Sequence, residues 1–288
     1  MADTDLLPPA ELLSDADFLR LSAYIHASTG IKMPLSKKTF LEGRLRRRLR
    51  GRGFASFDEY CNYLFAQGGL GEEETAIIDA VTTNKTDFFR EPHHFDFLTR
   101  TALPELVERG IGTRSPLRIW SAGCSTGAEP YTLAMVCQEF AQVVPQFKAE
   151  ILATDISLAV LQDAARAVYP HAQIDPVPME LRKRYLLRTR DASKDDVRIA
   201  PELRQMVKYG VVNLMDGKYP IPHPMDIIFC RNVLIYFDKA TQRAVLARLC
   251  RTLKAGGYLL LGHSESINGM SLPLRSVAAT VFVHEGQP

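Results

Sequence analysis

Between residues 14 and 83 the apolar positions fall at helical spacing. In "SDADFLRLSAYIHASTG", Phe18, Leu21 and Ile25 share one face, Ser14 offers an N-cap, and Gly30 offers a stop. From Ser36 onward Leu41, Leu45 and Leu49 recur every four residues until Gly51 and Gly53 end the run. "SFDEYCNYLFAQ" (56–67) and "EEETAIIDAVTTN" (72–84) predict two more helices. No strand pattern precedes residue 116, so the segment reads as a small helical bundle.

The pattern changes at Leu117. Short apolar runs, "LRIWSAG", "AEILATD", "MDIIFCRN" and "GYLLLGH", alternate with helical stretches at 128–142, 157–167 and 239–253. Strands alternating with helices predict a doubly wound, Rossmann-like α/β domain with a parallel sheet between helical layers. Residues 169–210 interrupt this rhythm with four prolines, a polar loop and two β-like runs around Val197–Ile199 and Met206–Val212. They read as a small inserted β subdomain. The final "SVAATVFVHEG" has no helix before it and reads as an antiparallel edge strand.

Composition adds exclusions. Hydrophobic content of 46% and charged content of 24% are ordinary for a globular chain. No apolar run approaches the roughly 18 residues of a membrane span. The acidic start, "MADTDLLPPAELLSDADF", is not a secretory signal. The five cysteines, Cys61, Cys124, Cys137, Cys230 and Cys250, form no CxxC pair. That argues against a disulfide framework or a zinc site, and fits reduced thiols in a cytoplasm. A net charge of +2 is too small to imply a polyanionic partner by itself.

Candidate chemistry gathers at the strand ends. "RIWSAGCSTGAEPYTLAM" (118–135) is a strand, a glycine turn and a helix. Its G-x-x-x-G spacing at Gly123 and Gly127 is not the G-x-G-x-x-G of pyrophosphate binders, and no G-K-[ST] follows. The turn suits a nucleoside without phosphates, of which S-adenosylmethionine is the common example; a plain tight turn is the alternative. Glu129, in the first helical turn, can accept hydrogen bonds from a cationic amine or complement the helix dipole. Asp155 ends the next strand, where an acidic residue holds ribose hydroxyls or caps the following helix, a part that Ser157 can also play. "FCRNVLIYF" (229–237) drives an apolar strand into Arg231 and Asn232, then turns apolar again.

Taken in order, "TTNKTDFFREPHHF", "WSAGCSTGAEPY", "ATDIS", "VNL", "IFCRNVLIYF" and "LLLGHSES" closely resemble the chemotaxis receptor glutamate O-methyltransferases, the CheR-type enzymes. The resemblance spans nearly the whole chain. It implies a helical receptor-docking domain (12–83), a linker that contributes to the cofactor site (84–100), and a methyltransferase domain (101–288). It also implies S-adenosylmethionine contacts from Asn84, Thr86 and Arg90 in the linker, from Gly123 and Glu129, from Asp155 on the ribose, from Asn213 and Leu214 near the adenine, and from Arg231 and Asn232 beside the transfer site. Tyr236 stands as an active-site wall or as a half-buried core aromatic.

The implied reaction needs no general base. A glutamate carboxylate, with a pKa of about 4.3, is already a nucleophile at neutral pH. Arg231 or Arg90 would position it, and His263 reads as structural. The stripe "SKKTFLEGRLRRRLRGRG" presents Arg44, Arg46, Arg47, Arg48 and Arg50. It has no aromatic interleaving, and residues 1–83 carry more acidic than basic side chains, so nucleic acid is not the expected partner. The resemblance implies instead the cytoplasmic helical bundle of a chemoreceptor, and a monomer suffices. Some family members tether to a receptor pentapeptide through a glycine-containing loop of the inserted subdomain. Here that loop reads "RTRDASKDDVRI", without glycine, which points to independence from the pentapeptide. Two other readings stand beside this one. A nucleic-acid methyltransferase is disfavoured because "CRNV" replaces the polar-Pro-Pro-aromatic tetrapeptide of amino-methylating DNA enzymes. A non-enzymatic S-adenosylmethionine or receptor binder is the other.

Overall fold

The computed structural model describes residues 12–189 and 195–286. The chain divides into two compact units, the first running to Thr83 and the second starting at Asn84.

Among the described residues the first unit holds four α-helices, α1 (Asp15–Thr29), α2 (Lys38–Arg52), α3 (Phe57–Ala66) and α4 (Leu70–Val81), with a 3-10 turn at Leu35–Lys37 before α2. Their ends follow local chemistry. The Ser14 hydroxyl accepts from the Asp17 N–H, and the Ser56 hydroxyl from the Glu59 N–H. Gly30 and Gly53 close α1 and α2 in the left-handed conformation, so α2 passes through Gly51 rather than ending there. Phe18, Leu21, Leu41, Leu45, Tyr60 and Ile77 fill the core. Glu73 is wholly buried there. It accepts from the Arg48 guanidinium at 2.7 and 2.8 Å and from the Tyr60 hydroxyl at 3.0 Å, with Arg52 Nε also at 3.0 Å. The Arg48 hydrogen bonds lead in holding its carboxyl below the usual range.

The second unit opens with α5 (His93–Phe97) and α6 (Leu103–Glu108), joined through a π-helical turn at Leu98–Ala102. The alternation follows: β1 (Leu117–Ala122), α7 (Ala128–Val143), β2 (Ala149–Asp155) and α8 (Leu158–Arg166). The insertion holds β3 (Val168–Pro170), α9 (Met179–Tyr185), β4 (Leu186–Arg188) and β5 (Asp196–Ile199), and α10 (Pro201–Met206) leads into β6 (Val207–Val211). The chain ends with β7 (Met225–Cys230), α11 (Lys239–Thr252), β8 (Leu253–Leu261), β9 (Leu274–Ala278) and β10 (Val281–His284).

The main sheet has the order β6-β2-β1-β7-β8-β10-β9. Neighbours from β6 to β8 are parallel, and β10 is antiparallel to both β8 and β9. Apolar residues alternate to both faces. Ile119, Ile151, Ile227 and Phe229 enter the core shared with α5 to α8, while Trp120, Ala122, Ile228 and Leu259 enter the core shared with α11. The chain leaves β1 toward β2 and β6 and later returns to its other side through β7, so the strand order reverses between β1 and β7. A crevice outside the carboxyl ends of the strands is expected at that point.

Two further sequence expectations change. The run 206–212 does not belong to the inserted subdomain: Val207–Val211 pairs in parallel with β2 as the edge of the main sheet. The insert's own sheet is only β3-β5-β4, antiparallel throughout. Lys208, Tyr209 and Gly210 disguise β6 because an edge strand buries less than a central one. The C-terminal segment is a hairpin rather than one strand; β10 lies inside and β9 takes the edge. The glycine-free loop "RTRDASKDDVRI" lies partly outside the described residues.

Candidate functional site

The carboxyl ends of β1, β2 and β7 carry most of the candidate residues. The glycine turn after β1 is held in shape by φ values of +79° at Gly123 and +92° at Gly127, with Ser125 also positive at +50°. A Cβ on Gly123 would lie 2.5 Å from Val233 Cγ2, so only glycine lets this turn press against the end of β7. Ser125 ties three segments together. Its N–H donates to Asp155 Oδ2 at 2.9 Å, and its hydroxyl donates to the Asn84 carbonyl at 2.8 Å. Asp155 is buried, and its Oδ1 also accepts from the Ser157 N–H at 3.0 Å. Ser157 itself caps α8, its hydroxyl accepting from the Val160 N–H.

Arg231 is the electrostatic centre. It is 6% exposed and reaches Glu129 Oε2 and Glu91 Oε2, each at 3.2 Å, while its Nη2 donates to the Arg90 carbonyl. Phe95 and Phe229 flank the guanidinium, with ring centroids at 5.6 and 6.0 Å. Burial raises the Glu129 carboxyl above the usual range, with Arg231 and the Ser121 hydroxyl, at 2.6 Å, acting against it. Burial also acts to raise Glu91. There the His263 backbone N–H, Arg231 and Asn232 outweigh it and hold the carboxyl below the usual range. Glu91 Oε1 accepts from Asn232 Nδ2 and from the His263 N–H, each at 3.2 Å. Phe89 and Glu91 both adopt positive φ, +52° and +55°, which carries the linker across the end of β7.

Of the remaining candidates, Asn213 and Leu214 stand beside the strand ends, and the others are tied to them less directly. The Val212 N–H donates to the Asp155 carbonyl at 3.1 Å, which brings Asn213 and Leu214 beside β2. Asn213 Oδ1 accepts from the Met215 N–H at 2.9 Å. Thr86 and Arg90 are half-buried in the linker, and Arg90 Nη1 donates to the Lys85 carbonyl at 3.0 Å. Tyr236 is half-buried at the margin of the α11 core, on a 3-10 turn at Leu234–Tyr236. No hydrogen bond or ring contact joins it to Arg231 among the described residues. The His263 side chain is exposed, and only its backbone reaches the site.

These groups fit S-adenosylmethionine. The half-buried Glu129 and buried Asp155 carboxylates suit an amine and ribose hydroxyls. Arg231 Nε is buried without a hydrogen-bond partner among the described residues, so one donor remains for a ligand.

Comparison with known proteins agrees with this geometry. Residues 84–283 match the model "CheR methyltransferase, SAM binding domain", and residues 16–82 match "CheR methyltransferase, all-alpha domain". The chain belongs to the CheR methyltransferase family. It is 42% identical over 252 residues to a chemotaxis protein methyltransferase of Borreliella burgdorferi, covering 87% of this chain and 88% of that one. It is 39% identical over 267 residues to chemotaxis protein methyltransferase 2 of Pseudomonas aeruginosa, covering 92% of each. The Escherichia coli chemotaxis protein methyltransferase is 36% identical over 270 residues, covering 94% of this chain and 91% of that one. As a CheR methyltransferase, the chain is an S-adenosylmethionine-dependent enzyme of chemotaxis with an all-α N-terminal region and a Rossmann-like catalytic domain.

Sequence reasoning missed several residues of this candidate site. Glu91 stood within a quoted motif without a role, though a charge flanked by Phe-Phe-Arg and His-His was the available signal. Ser121 and Ser125 carried no signal, because their roles arise from hydroxyls and an N–H directed by the turn. Glu91, His93 and His94 bring potential metal-ligand atoms within 4.8 Å of one another, but Arg231 already pairs with that carboxylate. In the first unit, Arg48 leaves the basic stripe for Glu73, whereas Arg44, Arg47 and Arg50 are exposed and Arg46 is half-buried. All five cysteines are free and buried. No described helix is long and apolar enough to cross a membrane.

Proposed function

We propose that this CheR methyltransferase esterifies glutamate side chains on the cytoplasmic helical bundle of chemoreceptors. The observation that carries the reading is the buried Arg231 pairing at once with Glu91 of the linker and Glu129 of the glycine-turn helix. Linker, glycine turn and strand end thereby meet in one site.

S-adenosylmethionine supplies an electrophilic methyl group on its sulfonium sulfur. Glu129 binds its amine, Asp155 its ribose, and Asn213 and Leu214 its base, with Asn84, Thr86 and Asn232 completing the contacts. The acceptor carboxylate is already ionised at neutral pH, so the protein's task is alignment. The Arg231 amino groups are occupied by protein acceptors, so the half-buried Arg90, whose carbonyl meets Arg231, orients the acceptor, and Tyr236 forms a wall. The exposed Arg44, Arg47 and Arg50 of α2 face an acidic receptor surface and raise the rate of encounter.

The test is transfer of labelled methyl to receptor-containing membranes, followed by mild alkali. Label released as methanol identifies a carboxyl methyl ester. Label that survives alkali sinks the ester reading while leaving the methyltransferase in place.

A further inference from the structure

The loop after β8 contributes a carboxylate that the site described above does not use. Glu265 is 6% exposed. Its Oε1 accepts from the backbone N–H groups of Leu234 at 2.7 Å and Ile235 at 3.3 Å. Its Oε2 accepts from those of Asn232 at 3.0 Å and Gly262 at 2.6 Å. Burial raises this carboxyl, and the four N–H donors act against that.

Three of those donors belong to the turn after β7, and that turn needs an outside acceptor. Asn232 stands two residues past the end of β7, outside the strand ladder, and its φ of +60° turns the chain that follows. Leu234 and Ile235 open the 3-10 turn that ends at Tyr236, and the first N–H groups of such a turn have no partner within it. Gly262 allows the approach. A Cβ there would lie 2.6 Å from Asn232 Nδ2, 2.7 Å from Asn232 N and 2.9 Å from Glu265 Oε2. The turn in turn carries Val233, which packs against Gly123, and Asn232, which binds Glu91.

We propose that Glu265 is a positioning residue of the cofactor site, fixing Arg231, Asn232 and Tyr236 in one arrangement by binding the backbone between them. This rests on the reading that Arg231 and Asn232 face S-adenosylmethionine. Glutamine cannot replace it, because an amide offers one acceptor oxygen and turns its NH2 toward N–H donors.

The experiment is Glu265→Gln in the full chain, with KM measured separately for S-adenosylmethionine and for receptor, and with hydrogen exchange resolved to single amides. The expected result is a rise of at least about tenfold in KM for S-adenosylmethionine, with receptor KM unchanged. The amides of Asn232 and Leu234 exchange slowly in the wild type and fast in the variant, while those of β7 stay slow in both. Unchanged KM for S-adenosylmethionine, or an equal rise in both KM values, overturns the proposal. Should the variant fail to fold, the wild type decides: free exchange at Asn232 and Leu234 without ligand overturns it equally. Asn232→Ala separates the two readings. If it leaves S-adenosylmethionine affinity unchanged, the assignment of the turn to the cofactor falls, whereas amide protection still reports on the Glu265 contact.

Discussion

At the scale of single residues, the guanidinium of Arg231 is taken from three directions, by Glu91, Glu129 and the Arg90 carbonyl. A lysine carries the charge but cannot fork between them. Arg231→Lys should therefore weaken S-adenosylmethionine binding at least about tenfold, about 1.4 kcal/mol, in titration calorimetry. His94 sits in the same field. Burial, with Arg231 next, pushes its imidazole down to about 3; His93 and His263 act in the same direction and Glu91 opposes them. The folded protein keeps His94 neutral where the unfolded chain, near 6.5, takes up a proton. Stability from this group is complete above about pH 6.5 and is lost as pH falls toward 3, at no more than about 1.4 kcal/mol per pH unit. His94→Asn should flatten denaturant-measured stability across that window; an unchanged slope would remove His94 as its source. Glu91 acts lower. Its folded pKa lies below the unfolded value of about 4.3, so its contribution is complete above that value and disappears as pH falls through the folded one.

At the scale of elements, α2 does two jobs with one run of arginines. Arg48 turns inward to Glu73, while Arg44, Arg47 and Arg50 remain exposed. Arg48→Ala should cost the first unit about 1–3 kcal/mol in chemical unfolding, since it leaves a buried carboxylate short of its donor. Alanine at Arg44, Arg47 and Arg50 should each change stability by less than about 0.5 kcal/mol, yet slow receptor methylation at low salt. The turn after β1 is as exacting as α2 is tolerant. Gly123→Ala places a Cβ 2.5 Å from Val233 Cγ2 on a backbone with φ +79°. The strain and the overpacking together should cost about 2–4 kcal/mol and weaken S-adenosylmethionine binding.

At the scale of the whole molecule, every residue assigned to the cofactor, from Asn84 to Asn232, belongs to the second compact unit. A fragment of residues 84–288 should bind S-adenosylmethionine within a few-fold of the full chain, while its methylation of receptors falls. A fragment that folds but does not bind would return part of the cofactor site to the first unit. Exposed arginines on α2 are screened by salt, and the buried Arg231 pairs much less so. Raising ionic strength should therefore depress receptor methylation while leaving cofactor affinity nearly constant.

Period alone made four helices and the central strands legible, because burying one face of a helix or both faces of a strand writes 3.6-residue spacing or a continuous apolar run into the chain. Polar residues at strand ends and in the first turn of α7 made Asp155, Arg231, Asn232 and Glu129 stand out as candidates, because a charge beside a buried run needs a reason. Only the tertiary structure decided that Val207–Val211 joins the main sheet, that Arg48 serves Glu73, and that Glu91 completes the pairing of Arg231. Each of these depends on a partner far along the chain: β2 for the edge strand, α4 for Arg48, β7 for Glu91. Local sequence records which groups need partners, and the fold alone determines which partners they find.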